Sequence, residues 1–192
     1  MKEKAIHHAA MTSRRRFLKL GAKLSLLAVT AGASRQALAN SLNTAGERRL
    51  SFYQTHTGET LSTVYWADGV YIPESLAEVN RILRDHRTGE VAPIRTELLD
   101  LLHRLRSGLD TSQHFQIISG YRSHGTNEML ATRGRGVATR SLHMEGMAVD
   151  IRVPGRDLKA VRDLALTLGR GGVGYYPAPD FVHVDVGRVR HW

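Results

Sequence analysis

The sequence contains no cysteine, which excludes a disulfide framework, thiolate metal sites, iron–sulfur clusters and a cysteine nucleophile. Any metal must therefore be held by nitrogen and oxygen donors. A long apolar run is also missing. The most hydrophobic stretch, Leu20 to Ala33, is interrupted by Lys23 and falls short of the roughly 20 residues that a stable membrane span requires. Downstream of residue 39 there is no dinucleotide-binding glycine fingerprint leading from a strand into a helix, no internal repeat and no low-complexity tract. An exported redox protein is thereby disfavoured.

Positive charge is plentiful, with a formal net charge of +9 over 192 residues, but it is confined. Residues 1–39 hold eight Lys/Arg against Glu3 alone, whereas the other 153 residues hold 19 basic and 17 acidic side chains. Cations interleaved with acids do not make the clustered phosphate-binding face that nucleic acid requires, so no nucleic-acid partner is expected. The basic stretch Ser13-Arg14-Arg15-Arg16-Phe17-Leu18-Lys19 precedes the short apolar segment, and Ala37-Leu38-Ala39 supplies an A-x-A cleavage signal before Asn40. This is an export leader of twin-arginine type. It predicts a signal peptide over 1–39, a mature domain over 40–192 in the periplasm, and no stable membrane span in the mature form. The mature length suits one core, and nothing in the sequence indicates an oligomer.

Residues 48–55 and 60–66 are rich in β-branched and aromatic side chains around His56-Thr57-Gly58-Glu59, the pattern of a hairpin. Helical spacing runs from Pro73 to near Thr88-Gly89, from Thr96 to Arg106, from Thr126 to Thr132 and over 157–168. Further strands are expected at 114–119, at Met147 to Val153 before the breaker Pro154-Gly155, at 173–176 and at 181–186. Strands and helices are segregated rather than alternating, so the expectation is an α+β fold: an antiparallel sheet with helices packed on it.

Eight histidines follow the leader. His56, His86, His103, His114 and His124 fall in turns or on polar helix faces and read as solvated or structural, and His191 is expected to fray. His143 and His183 have different company. Asp150 follows His143 by seven residues on a strand, where burying a carboxylate is costly unless a cation or metal answers it. His183 and Asp185 share a strand face in Phe181-Val182-His183-Val184-Asp185. Two histidines and a carboxylate could furnish the three protein ligands of a catalytic zinc site with one position open. A buried His–Asp hydrogen-bond pair accounts for the same residues without a metal, and at this level both stand.

Several separated motifs in order resemble one family. They are Ser119-Gly120-Tyr121-Arg122-Ser123, Thr126-Asn127, Ser141-x-His143-x-x-Gly146-x-Ala148-x-Asp150, Gly172-Val173-Gly174-Tyr175-Tyr176-Pro177 and Phe181-Val182-His183-Val184-Asp185-Val186-Gly187. Together they are similar to the YcbK-like murein endopeptidases, kin of the D-Ala-D-Ala metallopeptidases and of the hedgehog zinc domain. The resemblance implies a hedgehog/DD-peptidase-like fold and one zinc ion per chain on His143, Asp150 and His183. It also implies Arg122 as the group that steadies the substrate carbonyl, with Tyr121 and Ser141 orienting the site. For the general base it offers two acids. Asp180 lies three positions before the last ligand histidine, where the wider superfamily has its acid, and Asp185 shares the face of His183. The implied substrate is peptidoglycan, at stem-peptide cross-links joining two meso-diaminopimelate residues, with some action on D-Ala to meso-diaminopimelate bonds. A carboxypeptidase and a zinc-containing but inactive wall-binding module are the competing expectations.

Overall fold

The computed structural model describes residues 46–133 and 138–192. The stretch expected to form the twin-arginine leader, with its expected cleavage point at 39/40, lies outside the described residues. No helix among them is long and apolar enough to cross a membrane.

β1 (Arg48–Gln54) and β2 (Thr60–Ala67) form the expected antiparallel hairpin, and a short β3 (Val70–Tyr71) pairs with the outer side of β2. Two helices follow, α1 (Pro73–Ile82) and α2 (Thr96–Gly108). Pro73 suits the start of α1 because the first helical N–H has no intrahelical acceptor. That helix ends well before Thr88-Gly89. The Asp85 carboxylate accepts from the backbone N–H of Arg87 at 2.9 Å and of Thr88 at 3.4 Å, so an aspartate-centred turn displaces the last helical turns that the spacing predicts. β4 (Phe115–Ser119) leads to α3 (His124–Thr132), which begins two residues earlier than expected because Ser123 caps it, accepting from Thr126 N–H at 3.2 Å. A 3₁₀ turn (Leu142–Glu145), β5 (Ala148–Arg152), α4 (Leu158–Leu168), the hairpin β6 (Gly172–Tyr176) and β7 (Phe181–Asp185), and β8 (Arg190–His191) complete the chain.

The eight strands form one sheet in the order β3-β2-β1-β4-β5-β7-β6-β8. The sheet is mixed, which corrects the antiparallel expectation. β1 pairs parallel to β4, and β6 pairs parallel to β8. The first parallel pair has a simple cause: β2, β3, α1 and α2 intervene, a connection long enough to carry the chain back in the same direction. β8 overturns the expectation of fraying at His191, because Trp192 N–H donates to Val173 O at 3.2 Å and Tyr175 N–H donates to Trp192 O at 3.1 Å.

One sheet face carries Leu50, Phe52, Phe115, Ile117, Val149, Ile151, Val173, Val182 and Val184 into the core, where they meet Val79, Leu98, Leu99, Leu102, Leu105 and Val161 of the helices. Period-two alternation then forces the other face of β5 and β7 to present Ala148, Asp150, His183 and Asp185. In register, Asp150 lies opposite His183, and Ala148 opposite Asp185. These residues are buried as well, so β5 is covered on both faces.

Candidate metal centre

Three elements deliver the centre. His143 comes from the 3₁₀ turn, Asp150 from β5 and His183 from β7, and one ligand atom of each lies within 4.8 Å of the others. His143 Nδ1 is 2.7 Å from Gly120 O. A carbonyl only accepts, so in the neutral ring Nδ1 carries the proton and Nε2 presents a lone pair. His183 Nε2 is 3.0 Å from Asp185 Oδ2, an acceptor again, which leaves the lone pair on Nδ1. The two lone-pair nitrogens face each other at 3.2 Å and face Asp150 Oδ1 at 3.3 Å (His143) and 2.9 Å (His183). Three acceptors therefore converge with no donor among them, an arrangement that requires a positive centre. One divalent ion answers all three, whereas a single proton on His183 Nδ1 would have to be shared between Asp150 Oδ1 at 2.9 Å and His143 Nε2 at 3.2 Å. The donor set, two imidazoles and a carboxylate, suits zinc.

The ionisation shifts express the same demand. Burial disfavours the charge on Asp150, but His143 and His183 outweigh it and hold the carboxyl well below the usual range. Burial likewise works against an imidazolium at His183, yet the hydrogen bonds to Asp150 and Asp185 raise its pKa above the ordinary value.

The Ser-Gly-Tyr-Arg stretch lies at the end of β4. A side chain at Gly120 would collide with the Leu83 carbonyl, so glycine is required for β4 to pass this turn and point its own carbonyl at His143. Arg122 is buried beside the metal ligands. Its Nη1 donates to Asn127 at 3.3 Å and its Nη2 to Ser119 at 3.4 Å, and Nη2 lies 3.7 Å from Asp150 Oδ2, while Nε has no partner among the described residues. Burial lowers its pKa and Asp150 opposes that shift. Tyr121 points elsewhere. Its hydroxyl donates to Glu90 at 2.7 Å, which together with burial pushes its pKa up to about 12, and it is not part of the cleft wall.

A cavity of about 650 Å³ opens over the cluster. Ser141 lines it, as do four arginines (Arg87, Arg122, Arg140 and Arg190) and the aromatic residues Tyr176, Phe181 and Trp192. Among the described residues Asp150 is the only carboxylate in its wall. His56, read from sequence as a bland turn residue, reaches this rim and stacks on His86 with ring centroids 3.9 Å apart. The two candidate acids separate sharply. Asp185 is fully buried behind His183, whereas the Asp180 side chain is 60% exposed at the β6–β7 turn, 3.5 Å from Arg152 Nε. Asp180 does not line the cavity. Sequence reasoning missed Asp85, Arg190 and Trp192, whose roles depend on pairings across the chain that no local motif signals.

An α+β domain with a buried two-histidine, one-carboxylate cluster at the floor of a cationic cleft has the make-up of a metallopeptidase. The comparison with known families agrees: the chain belongs to the Peptidase_M15_2 family, described as Peptidoglycan L,D-endopeptidase MepK, whose model matches residues 42–192. It is 43% identical over 152 residues to the peptidoglycan L,D-endopeptidase MepK of Escherichia coli strain K12, covering 79% of this chain and 84% of that protein. It is 37% identical over 152 residues to the probable peptidoglycan L,D-endopeptidase MepK of Haemophilus influenzae, covering 79% and 82%.

Proposed function

We propose that this chain is a zinc-dependent endopeptidase that hydrolyses cross-links between peptidoglycan stem peptides, acting in the periplasm after twin-arginine export. The observation that carries this reading is the convergence of three buried acceptor atoms, on His143, Asp150 and His183, at the floor of an open cleft. The relatives' shared name supports the substrate. An amide joining the L-centre of one meso-diaminopimelate to the D-centre of the next is an L,D bond, which makes it the favoured target over D-Ala to meso-diaminopimelate. Cross-linked stem peptides carry free carboxylates, and a cleft with four arginines and one engaged carboxylate suits them. The family match starts at residue 42, just past the proposed cleavage point.

His143 Nε2, Asp150 and His183 Nδ1 would hold the ion, which when bound polarises a carbonyl and lowers the pKa of water to about 7. Arg122, which lines the cleft beside the three residues, offers its guanidinium to the oxygen on which negative charge develops. Ser141 orients the substrate from the cleft wall, and Tyr121 anchors the loop that carries Arg122 through its bond to Glu90. Asp185 acts through the His183 ring. Asp180 would take the proton of the attacking water and pass it to the leaving amine only by giving up Arg152 and turning into the cleft, whose wall it does not line.

Zinc-loaded protein is to be incubated with muropeptide dimers of defined linkage, with and without chelator, and the products weighed. Monomers from the meso-diaminopimelate-linked dimer, abolished by chelator, are expected; intact dimers in the presence of bound zinc overturn the proposal, and loss of a single terminal residue points to a carboxypeptidase. His183→Ala should lose metal and turnover together. Arg122→Ala should keep metal and lose about 10²- to 10³-fold in kcat, the scale of one oxyanion donor.

A further inference from the structure

β8 contains two residues, and both it and the residue after it reach into the metal centre from an edge of the sheet that the site does not otherwise use. Arg190 grips Asp185 with both guanidinium nitrogens, Nη2 donating to Oδ2 at 2.7 Å and Nη1 to Oδ1 at 3.1 Å. Asp185 Oδ1 also accepts from the N–H of Gly172 and of Gly187, each at 2.8 Å, and Oδ2 accepts from His183 Nε2 at 3.0 Å. Five donors saturate this carboxylate, so it cannot turn. A carboxylate that cannot turn fixes the ring bonded to it.

Trp192 acts on the same ring from another side. Its indole centroid lies 5.2 Å from that of His183, and its Nε1 donates to the Tyr176 hydroxyl at 2.7 Å. The Arg190 guanidinium carbon sits 5.0 Å from the indole centroid, tying the two residues together. β6 leaves room for both. A Cβ at Gly174 would lie 2.8 Å from Trp192 Cε2, and one at Gly172 would collide with Arg190 Nη1 and Asp185 Oδ2. The side of β6 that turns toward the site is thus bare of side chains where these two side chains lie. Trp192 is half exposed, and its place in the cleft wall accounts for an aromatic ring left in contact with solvent.

We propose that Arg190 and Trp192 are positioning residues for the metal centre: β8 clamps Asp185, Asp185 holds the His183 Nε2–H, and His183 is thereby committed to present Nδ1 to the metal. The proposal rests on the metal reading given above. Neither residue touches substrate-reacting atoms in this role; both act through His183.

The test compares wild type, Arg190→Ala, Arg190→Lys and Trp192→Ala in the full chain. Zinc affinity is measured by competition with a chromogenic chelator, and the protonated ring nitrogen of His183 is read by ¹⁵N NMR of the zinc-loaded protein. Circular dichroism of the zinc-free proteins reports folding. Arg190→Ala should weaken zinc binding by up to about 10-fold, the low end of the range seen when a direct partner of a ligand histidine is lost, because Asp185 itself remains. Ethylguanidinium added to that variant should restore part of the affinity, which a purely structural role would not predict. Arg190→Lys keeps the charge without the two-pronged grip and should fall between the two. Trp192→Ala should weaken binding less than Arg190→Ala. If Arg190→Ala does not fold, Arg190→Lys and Trp192→Ala decide: wild-type affinity and a wild-type His183 spectrum in both overturn the proposal. A wild-type chain without zinc affinity overturns the metal reading itself, a result distinct from unchanged affinity in the β8 variants, which overturns only the role of β8.

Discussion

Asp100 and Asp150 are both carboxylates drawn into the protein among cations and rings, yet they are completed in opposite ways. Asp100, on α2, accepts from Arg48 Nη1 at 2.7 Å and from the hydroxyls of Tyr65 and Tyr71, each at 2.9 Å. Every partner brings a proton. Burial opposes its charge, but Arg48 and the two tyrosines outweigh that and lower its pKa, while burial and Asp100 together push the Tyr65 hydroxyl far up. Asp150, on β5, faces two ring nitrogens whose own protons are committed to Gly120 O and Asp185. The first cluster is closed and holds α2 to the hairpin. The second is a set of three converging acceptors, open to a cation. Which partners carry protons, rather than burial or charge alone, separates a carboxylate whose pairing is complete from one left facing lone pairs.

The comparison breaks most visibly at Asp150. Asp150→Asn replaces one acceptor by an amide that can donate to either facing nitrogen, so the metal-free cluster gains the proton it lacks. Bound zinc, assayed by elemental analysis, and turnover of muropeptide dimers should both fall to background. The thermal midpoint of the zinc-free protein should stay level or rise. Full zinc content in this variant would show that the three acceptors do not form the site.

A third carboxylate sharpens the contrast. Asp85 is buried, with no cation bonded to it among the described residues, and accepts from Ser123 N–H at 2.9 Å, Ser123 Oγ at 2.6 Å and Arg87 N–H at 2.9 Å. Burial opposes its charge, but these donors outweigh it and hold the carboxyl well below the usual range. Because the folded pKa is depressed, the stability it contributes is complete above the ordinary carboxylate value of about 3.9 and drains away as the pH falls below it. Asp85→Asn should cost about 2–3 kcal/mol at pH 7, from mispaired buried donors. The gap to wild type, read from urea midpoints between pH 7 and pH 3, should narrow on the acid side. A gap independent of pH would mean that the charge of Asp85 does not matter. Since Ser123 neighbours Arg122, this turn also sets where the guanidinium stands.

The hairpin, α2, α4 and the strands carrying Asp150 and His183 were legible because their apolar spacing and their glycine or proline stops agree with the packing that forms. The meeting of His143, Asp150 and His183 was legible as well, since polar residues among apolar neighbours demand an explanation. Three things were not. The end of α1 was hidden because a single aspartate side chain competes with the last turns of the expected helix. The parallel pairings depend on which strands become neighbours, and spacing carries no information about that. β8 is two residues long, too short for any periodicity, so Arg190 and Trp192 gave no sign of their approach to His183.

The smallest effect is expected at the closed cluster. Asp100 is partly exposed, with its side chain at 25% accessibility, so solvent takes over some of what its partners lose. Asp100→Asn keeps the shape, leaves the Tyr65 and Tyr71 hydroxyls with one good acceptor oxygen between them, and removes the pair with Arg48. Stability measured by urea should fall by about 1–2 kcal/mol, the range for hydrogen bonds to a charged acceptor in a partly wet setting. Zinc content and turnover should match wild type, because no atom of this cluster lines the cleft. Loss of metal in Asp100→Asn would join the two clusters into one unit and remove the distinction between them.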